Sequence, residues 1–317
     1  MRYTNVLLFL IVASAFAADG DFNGRWDISY PGGADRASWL EVRGAGTAAP
    51  EVRFVSAYAG DLNKADEVAV KGGELVFGFR YKRRLQRGAE PVDAHTVCRA
   101  KLSGAQLRGT TTVEGSSTPP VEWVGVRAPE IKEKDDGTWR EGKPVRLFNG
   151  KDLSGWAPLE KDRKFGWTVS NGVLRAPGGG ANLVTTQKFW NFKLHIEFNV
   201  SKDSNSGIGL RGRYEVQVMD DYGQPANSHG SGALYSRILP TANASKPPGQ
   251  WQTYDVTLIG RDVTIVVNGV KVIDKQVVEG LTAMAHDPNE GEPGPISLQG
   301  DHGPIQYRNI VLTPLVK

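Results

Sequence analysis

The chain has 317 residues, with 38 glycines, 18 prolines, five histidines, one cysteine and a formal net charge of +3. That length suits one very large domain or two ordinary ones, and 39% hydrophobic with 23% charged residues is a globular rather than a disordered composition. The charge is slight and no Lys/Arg stripe with interleaved aromatics occurs, so nucleic acid is not expected as a partner; Cys98 alone allows neither an intrachain disulfide nor a cysteine zinc site.

Residues 1–17 read as a secretory signal peptide. Arg2 supplies the positive start, 6–13 is a short apolar run, and Ala15-Phe16-Ala17 is a small-x-small cleavage site. The run is shorter than the roughly 20 residues that span a bilayer, so no transmembrane anchor is expected. No cysteine follows the cleavage site, which argues against a lipoprotein anchor. The expected location is periplasmic or secreted, and the lack of cysteine pairs suits a periplasm.

Residues 18–128 read as a small all-β accessory domain of six to eight short strands, a barrel or a sandwich. Trp39-Leu40-Glu41-Val42-Arg43 alternates with period two, and Gly32-Gly33 and Gly72-Gly73 mark turns. Cys98 falls in an alternating strand of this unit and is not expected to act as a nucleophile; His95 is expected at the surface. Residues 129–143, rich in Lys, Glu, Asp and Gly, read as a charged linker.

Residues 144–317 are long enough for a two-sheet jelly roll. Leu194-His195-Ile196-Glu197-Phe198 and Tyr214-Glu215-Val216-Gln217-Val218 alternate, and Asn268-Gly269 between 263–267 and 270–273 predicts a tight hairpin. No stretch of a dozen residues shows helical periodicity, so the whole chain is expected to be all-β.

On the strand around Tyr214, the residues Tyr214, Val216 and Val218 point one way and Glu215 and Gln217 the other. Such alternation is most often an ordinary solvated face. Here the neighbouring segments add His195, Glu197 and Asn199, and Gly207, Gly209 and Arg211, to the outward side. Carboxylates, an arginine and glycines that leave room suit a polar ligand. His229 is expected to be structural or at a rim, and His286 at the surface. Trp156, Trp167 and Trp190 are expected in the core. Asp203 and the pair Asp220-Asp221 lack calcium-loop spacing. No serine-hydrolase elbow, dinucleotide fingerprint, phosphate loop or HExxH motif occurs.

Three stretches carry a resemblance: Leu147-Phe148-Asn149-Gly150-Lys151-Asp152-Leu153-Ser154-Gly155-Trp156; Asn205-Ser206-Gly207-Ile208 followed by Tyr214-Glu215-Val216-Gln217-Val218; and Gly294-Pro295-Ile296-Ser297-Leu298-Gln299-Gly300-Asp301-His302-Gly303 followed by Tyr307-Arg308-Asn309-Ile310. Over about 145–315 the chain resembles the 3-keto-disaccharide hydrolase family, also described as a 3-keto-glucoside lyase and hydratase domain. The resemblance implies a concanavalin-like jelly roll with a sugar site on a concave face, export, and a 3-keto-glucoside as carbohydrate substrate.

The implied chemistry starts from a ketone at the 3-position, which acidifies the hydrogen on the adjacent carbon. A base removes it, the glycosidic oxygen leaves by elimination, and water adds to the enone. This route needs a base, an acid and an enolate stabiliser. Glu215 and His302 are the base and acid in either order, and Arg211 is the stabiliser, with a divalent metal ion as an optional companion. Gln217, Glu197, Gln299, Tyr235 and Arg308 are the expected substrate-binding residues. A retaining glucanase would want a second carboxylate along the strand, where this chain has Gln217. The competing class is a non-catalytic, lectin-like carbohydrate-binding protein.

Overall fold

The structure is a computed structural model and describes residues 19–32, 36–57, 60–84 and 90–317. The signal-peptide reading of 1–17 lies outside the described residues. Apart from one 3-10 turn at Asp19–Phe22, every regular element among the described residues is a strand.

The first sheet has nine antiparallel strands between Gly24 and Arg127. This is more than the six to eight expected, because short pieces such as Leu62–Lys64 pair as separate strands. Its two ends in sheet order are Leu62–Lys64 and Glu67–Lys71. Only Ala65 and Asp66 separate them in the chain. The Ala65 amide donates to Val52 O on one side, and the Asp66 amide to Gly78 O on the other. A sheet whose opposite ends are joined by two residues must curl round on itself, so this unit is a small barrel. Trp26, Trp123, Phe54 and Phe77 fill it, together with Cys98, whose buried thiol is pushed up to about 12. A thiol held neutral in that way is inert as a nucleophile.

The second half folds as two facing antiparallel sheets, a jelly roll. The larger runs Thr168–Ser170, Val173–Ala176, Ile305–Val316, Phe192–Val200, Gln252–Ile259, Asp262–Val267 and Val270–Val277. The smaller runs Trp156–Pro158, Leu183–Thr185, Ser297–Leu298, Asn205–Leu210 and Tyr214–Met219. Leu194, Ile196, Phe198 and Tyr254 of the first sheet meet Ile208, Tyr214, Val216 and Leu298 of the second in one buried core. The hairpin after Val267 turns through Asn268 and Gly269, with φ of 49° and 83°. Both values are left-handed, as a type I′ turn requires.

The charged segment from Pro129 onward lies along the jelly roll. The Asp135 amide donates to Asp262 Oδ2 (2.8 Å), Lys275 Nζ pairs with Asp135 (3.2 Å), and Arg140–Glu141 adds a strand beside Leu315 and Val316. Lys134, Asp136 and Glu141 of this segment also pair with Asp262, Lys317 and Lys193 of the second half. The barrel also packs directly on the jelly roll. Ala37, Trp39 and Val55 belong to the jelly-roll core cluster, and the Ala37 amide donates to Ala285 O (2.9 Å). Arg237 stacks on Trp39, 4.3 Å from the ring centre.

Candidate active site

The register explains why the smaller sheet carries a site on its outer face. Ile208 pairs with Val216 and Leu210 with Tyr214, and these side chains enter the core. The intervening pairs, Gly207 with Gln217 and Gly209 with Glu215, therefore face away from it. Glycine at both positions leaves space where cross-strand side chains would crowd. A Cβ on Gly207 would collide with Glu215 Oε1 and sit 3.0 Å from its Cδ.

A cavity of about 320 Å³ opens over this face, lined by Glu215, Gln217, Tyr235, Gln299, Asp301 and His302 among others. It is at the small end of ligand-sized pockets. Its far wall comes from the barrel, with Arg36, Ala57 and Gly60. Five of the eight expected site residues thus come together: Glu215, His302, Gln217, Gln299 and Tyr235.

Glu215 is 4% exposed and burial pushes its carboxyl up to about 7, with nearby His302 opposing and Asp301 reinforcing the shift. Among the described residues no hydrogen bond holds that carboxyl. His302 sits on a turn pinned at both ends: the Gly180 amide donates to Gly300 O (3.0 Å), and the Gly303 amide to Asn205 O (3.1 Å). Its Nδ1 bonds Asp301 Oδ1 at 2.7 Å, and Arg163 holds the same carboxylate at 3.1 Å. The Asp301 hydrogen bond and charge raise the His302 pKa, and Glu215 adds to the rise. An imidazole oriented through Nδ1 leaves Nε2 for proton transfer. The Tyr235 hydroxyl is hydrogen-bonded to Asp61 of the barrel, and burial pushes its pKa up to about 12.

Three expectations are corrected. Arg211 does not line the cavity. The strand ends at Leu210, Arg211 has φ 53°, and its guanidinium turns inward to Trp190 O, Gly260 O and Asn191 Oδ1 at 2.6, 2.8 and 3.1 Å. Every charged nitrogen is occupied and the side chain is fully buried, so it ties loops together rather than holding an enolate. Glu197 and Arg308 pair with each other (2.6 Å) on the outer face of the larger sheet, across the core from the cavity, with Arg308 stacked on Trp251. They support that sheet and do not line the cavity.

Sequence reasoning also missed residues. His286, expected at the surface, lines the cavity, and burial pushes its pKa down to about 4. Glu160 enters through Asn182, accepting from its amide and Nδ2 at 2.8 and 3.0 Å, while Asn182 Oδ1 accepts from Gly300 N. Asp301 was visible beside His302 but carried no signal of its own. As for a metal, no group of three or more His, Cys, Asp or Glu side chains set to hold one occurs among the described residues.

The Gly207 geometry gives a direct test. Gly207→Ala is expected to displace the Glu215 carboxylate and cost up to roughly 100-fold in turnover, since about 1 Å of misplacement can do so. Stability should change little, because the strand backbone gains what glycine loses, about 0.5–1 kcal/mol. Steady-state kinetics and a thermal melt of the variant check both. Unchanged turnover would refute the crowding.

Residues 143–313 match the family described as the 3-keto-alpha-glucoside-1,2-lyase-like domain. That span contains every named cavity residue except those from the barrel. A curated relative from Bacteroides thetaiotaomicron, named 3-keto-disaccharide hydrolase, is 29% identical over an alignment covering 34% of this chain and 49% of its own. The match thus spans about half the length of that relative. Among solved structures, one from Parabacteroides distasonis described as a glycosyl hydrolase is 22% identical, covering 55% of this chain and 94% of its own with a TM-score of 0.45. A Bacillus subtilis carbohydrate-binding module is 11% identical, covering 49% and 93% with a TM-score of 0.36. On the extent of the matched segment, more than half of its length, the chain belongs to the 3-keto-alpha-glucoside-1,2-lyase-like family.

Proposed function

We propose that the chain is an exported enzyme, periplasmic or secreted, that cleaves the glycosidic bond of 3-keto-glucosides or 3-keto-disaccharides by elimination followed by hydration. The observation that carries this reading is that Glu215 and His302 share one cavity with both pKa values raised, the carboxyl to about 7 and the imidazole above its ordinary value. A carboxylate poised near neutrality suits a base, and an imidazole whose proton is held more firmly by Asp301 suits an acid. These shifts favour Glu215 as the base and His302 as the acid, the order that the sequence leaves open.

Glu215 takes the proton from C2, and the electron pair moves onto the C3 oxygen. As that oxygen returns to a carbonyl, the C1–O bond breaks and His302 gives its proton to the departing oxygen. The product is an enone. Water then adds across C1 and C2: neutral His302 takes a proton from the water as its oxygen bonds C1, and the Glu215 carboxyl returns a proton to C2. The sum is hydrolysis. Gln217, Gln299 and Tyr235 supply polar contacts to the sugar.

Incubation of the protein in D₂O with a 3-keto-glucoside and with the unoxidised glucoside tests this. Reducing sugar is expected only from the first, carrying deuterium at C2. Binding of either sugar without cleavage would favour the lectin-like alternative. Asp301→Asn removes the charge that keeps His302 protonated. The alkaline limb of its pH–rate profile is expected to move to lower pH, with turnover at pH 8 falling more than at pH 6. An unmoved limb would mean that His302 is not the acid.

A further inference from the structure

With Arg211 turned into the interior, the elimination lacks a group to hold the charge that gathers on the C3 oxygen. Gln217 is placed to do so. It is 3% exposed and lines the cavity. Its backbone is fully used: the amide donates to Ala233 O (2.9 Å), and the carbonyl accepts from the Gly232 amide (3.0 Å) and the Tyr254 hydroxyl (2.7 Å). Its carboxamide is not. Neither Oε1 nor Nε2 meets a hydrogen-bond partner among the described residues, and neither is sealed from solvent. A carboxamide set that deep, unmet by protein and still open to a cavity, is available to a ligand.

Three strands lie side by side under the cavity, in the order Ser297–Leu298, Asn205–Leu210 and Tyr214–Met219. Gly207 stands in the middle one, and Gln217 pairs with it from one flank. The Glu215 carboxyl leans over Gly207, where a Cβ would strike Oε1 and come within 3.0 Å of Cγ and Cδ. From the other flank the Gln299 amide donates to Gly207 O (2.9 Å) and the Gly303 amide to Asn205 O (3.1 Å), so the turn that bears His302 runs along that side. The base is therefore central, with the acid's turn on one flank and the free carboxamide on the other. The substrate has the same order. C2 carries the hydrogen to be taken, C1 with its leaving oxygen stands on one side of it, and the C3 ketone on the other. With C1 toward His302, the C3 oxygen falls to Gln217. Tyr235, whose amide donates to Glu215 O (3.0 Å), is on the same flank as Gln217, but its one hydroxyl hydrogen goes to Asp61.

Resting on the elimination mechanism above, we propose that Gln217 is a catalytic residue that donates an Nε2 hydrogen to the substrate's 3-keto oxygen and so takes the enolate-stabilising role that Arg211 cannot fill. A neutral amide strengthens its hydrogen bond as negative charge gathers on the oxygen and keeps its own proton. The amide also suits this chemistry where a second carboxylate would not. A carboxylate favours the developing cation of a retaining glycosidase and repels an enolate.

Two reactions test this in the full chain, with thermal melts alongside. One is cleavage of a 3-keto-glucoside. The other is exchange of the C2 hydrogen of 1,5-anhydro-3-ketoglucitol in D₂O; that compound has the ketone but no leaving group at C1, so it reports proton abstraction alone. Gln217→Ala is expected to lower kcat of both by 10²–10³-fold with a smaller change in KM, as loss of one oxyanion donor does. Gln217→Glu at pH 8 has nearly the native size, no hydrogen to give and a charge of the wrong sign, and is expected to lose more than the alanine variant. A packing role gives the reverse order, because glutamate fills the space. Wild-type rates in the alanine variant, a rise in its KM alone, or a glutamate variant faster than alanine each overturn this assignment while the hydrolase reading stands. No cleavage by the unmodified protein overturns the hydrolase reading and this assignment with it.

Discussion

Glu215→Gln is expected to abolish turnover of a 3-keto-glucoside and, at the same time, to make the protein more stable above neutral pH. The first effect follows from removing the base, a contribution of about 10²–10⁴-fold. The second follows from burial. The carboxyl goes from 4.5 to about 7 on folding because its surroundings disfavour the charge and no hydrogen bond from the described residues compensates it. The folded state therefore holds the proton more tightly than the unfolded chain does. Below pH 4.5 the group is protonated in both states and costs nothing. As pH rises from 4.5 to 7 the unfolded chain gains by ionising and the folded protein does not, so stability is lost through that window. Above 7 the loss is complete, about 3 kcal/mol. Glutamine never ionises and escapes it. Melting curves at pH 4 and pH 8 should show little difference between variant and wild type at the lower value, and a gain of several degrees at the higher. A variant no more stable at pH 8 would mean that the carboxylate is already compensated, and the case for a base near neutrality would go with it.

The parts of this site that the sequence discloses are those written in period two. Tyr214, Val216 and Val218 alternate with Glu215 and Gln217, and a strand has only two faces, so burying the first set exposes the second to a ligand side. Asn268-Gly269 is equally local, because left-handed backbone at two successive residues selects those side chains. What period two does not say is which sheet a face belongs to. Glu197 alternates as convincingly as Glu215, yet its strand lies in the larger sheet, and its outward face looks to the opposite side of the sandwich. Arg211 fails for another reason. Extending the Gly207–Gly209 face by one more step assumes that the strand continues, whereas the chain turns at Arg211 and sends the guanidinium back toward Trp190. His286 and Arg36 had no pattern to betray them. The first lies in an irregular segment, the second precedes a barrel strand, and they meet through long-range contacts between the two halves, the backbone bond from Ala37 to Ala285 among them.

That joint has its own titration. Asp27 of the barrel is 1% exposed and its carboxyl lies against that of Glu290, which is fully buried and accepts from the Tyr214 hydroxyl (2.8 Å) and Arg261 (3.3 Å). Neither Asp27 oxygen meets a hydrogen-bond donor outside this acid pair among the described residues. Two carboxylates cannot share a buried site fully ionised, so burial first and the Glu290 charge second lift Asp27 far above the usual carboxylate range. It stays protonated and hydrogen-bonds to Glu290. The unfolded chain releases that proton from 3.8 upward, so wild-type stability should fall as pH rises past that value, by about 1.4 kcal/mol for each unit until the folded Asp27 itself ionises. Asp27→Asn keeps an N–H donor for Glu290 and has no proton to lose. Its stability is expected to be close to wild type near pH 4 and to pull ahead steadily through neutrality. Urea unfolding at pH 5, 7 and 9 reads this directly, and parallel pH dependence in the two proteins would refute the shared proton. The window separates this effect from that of Glu215, because the Glu215 loss is complete by about pH 7 while the Asp27 loss continues beyond it. Since the same joint carries Arg36 and His286 to the cavity, the Asn variant should also hold its activity further into the alkaline range once the His302 limb is accounted for.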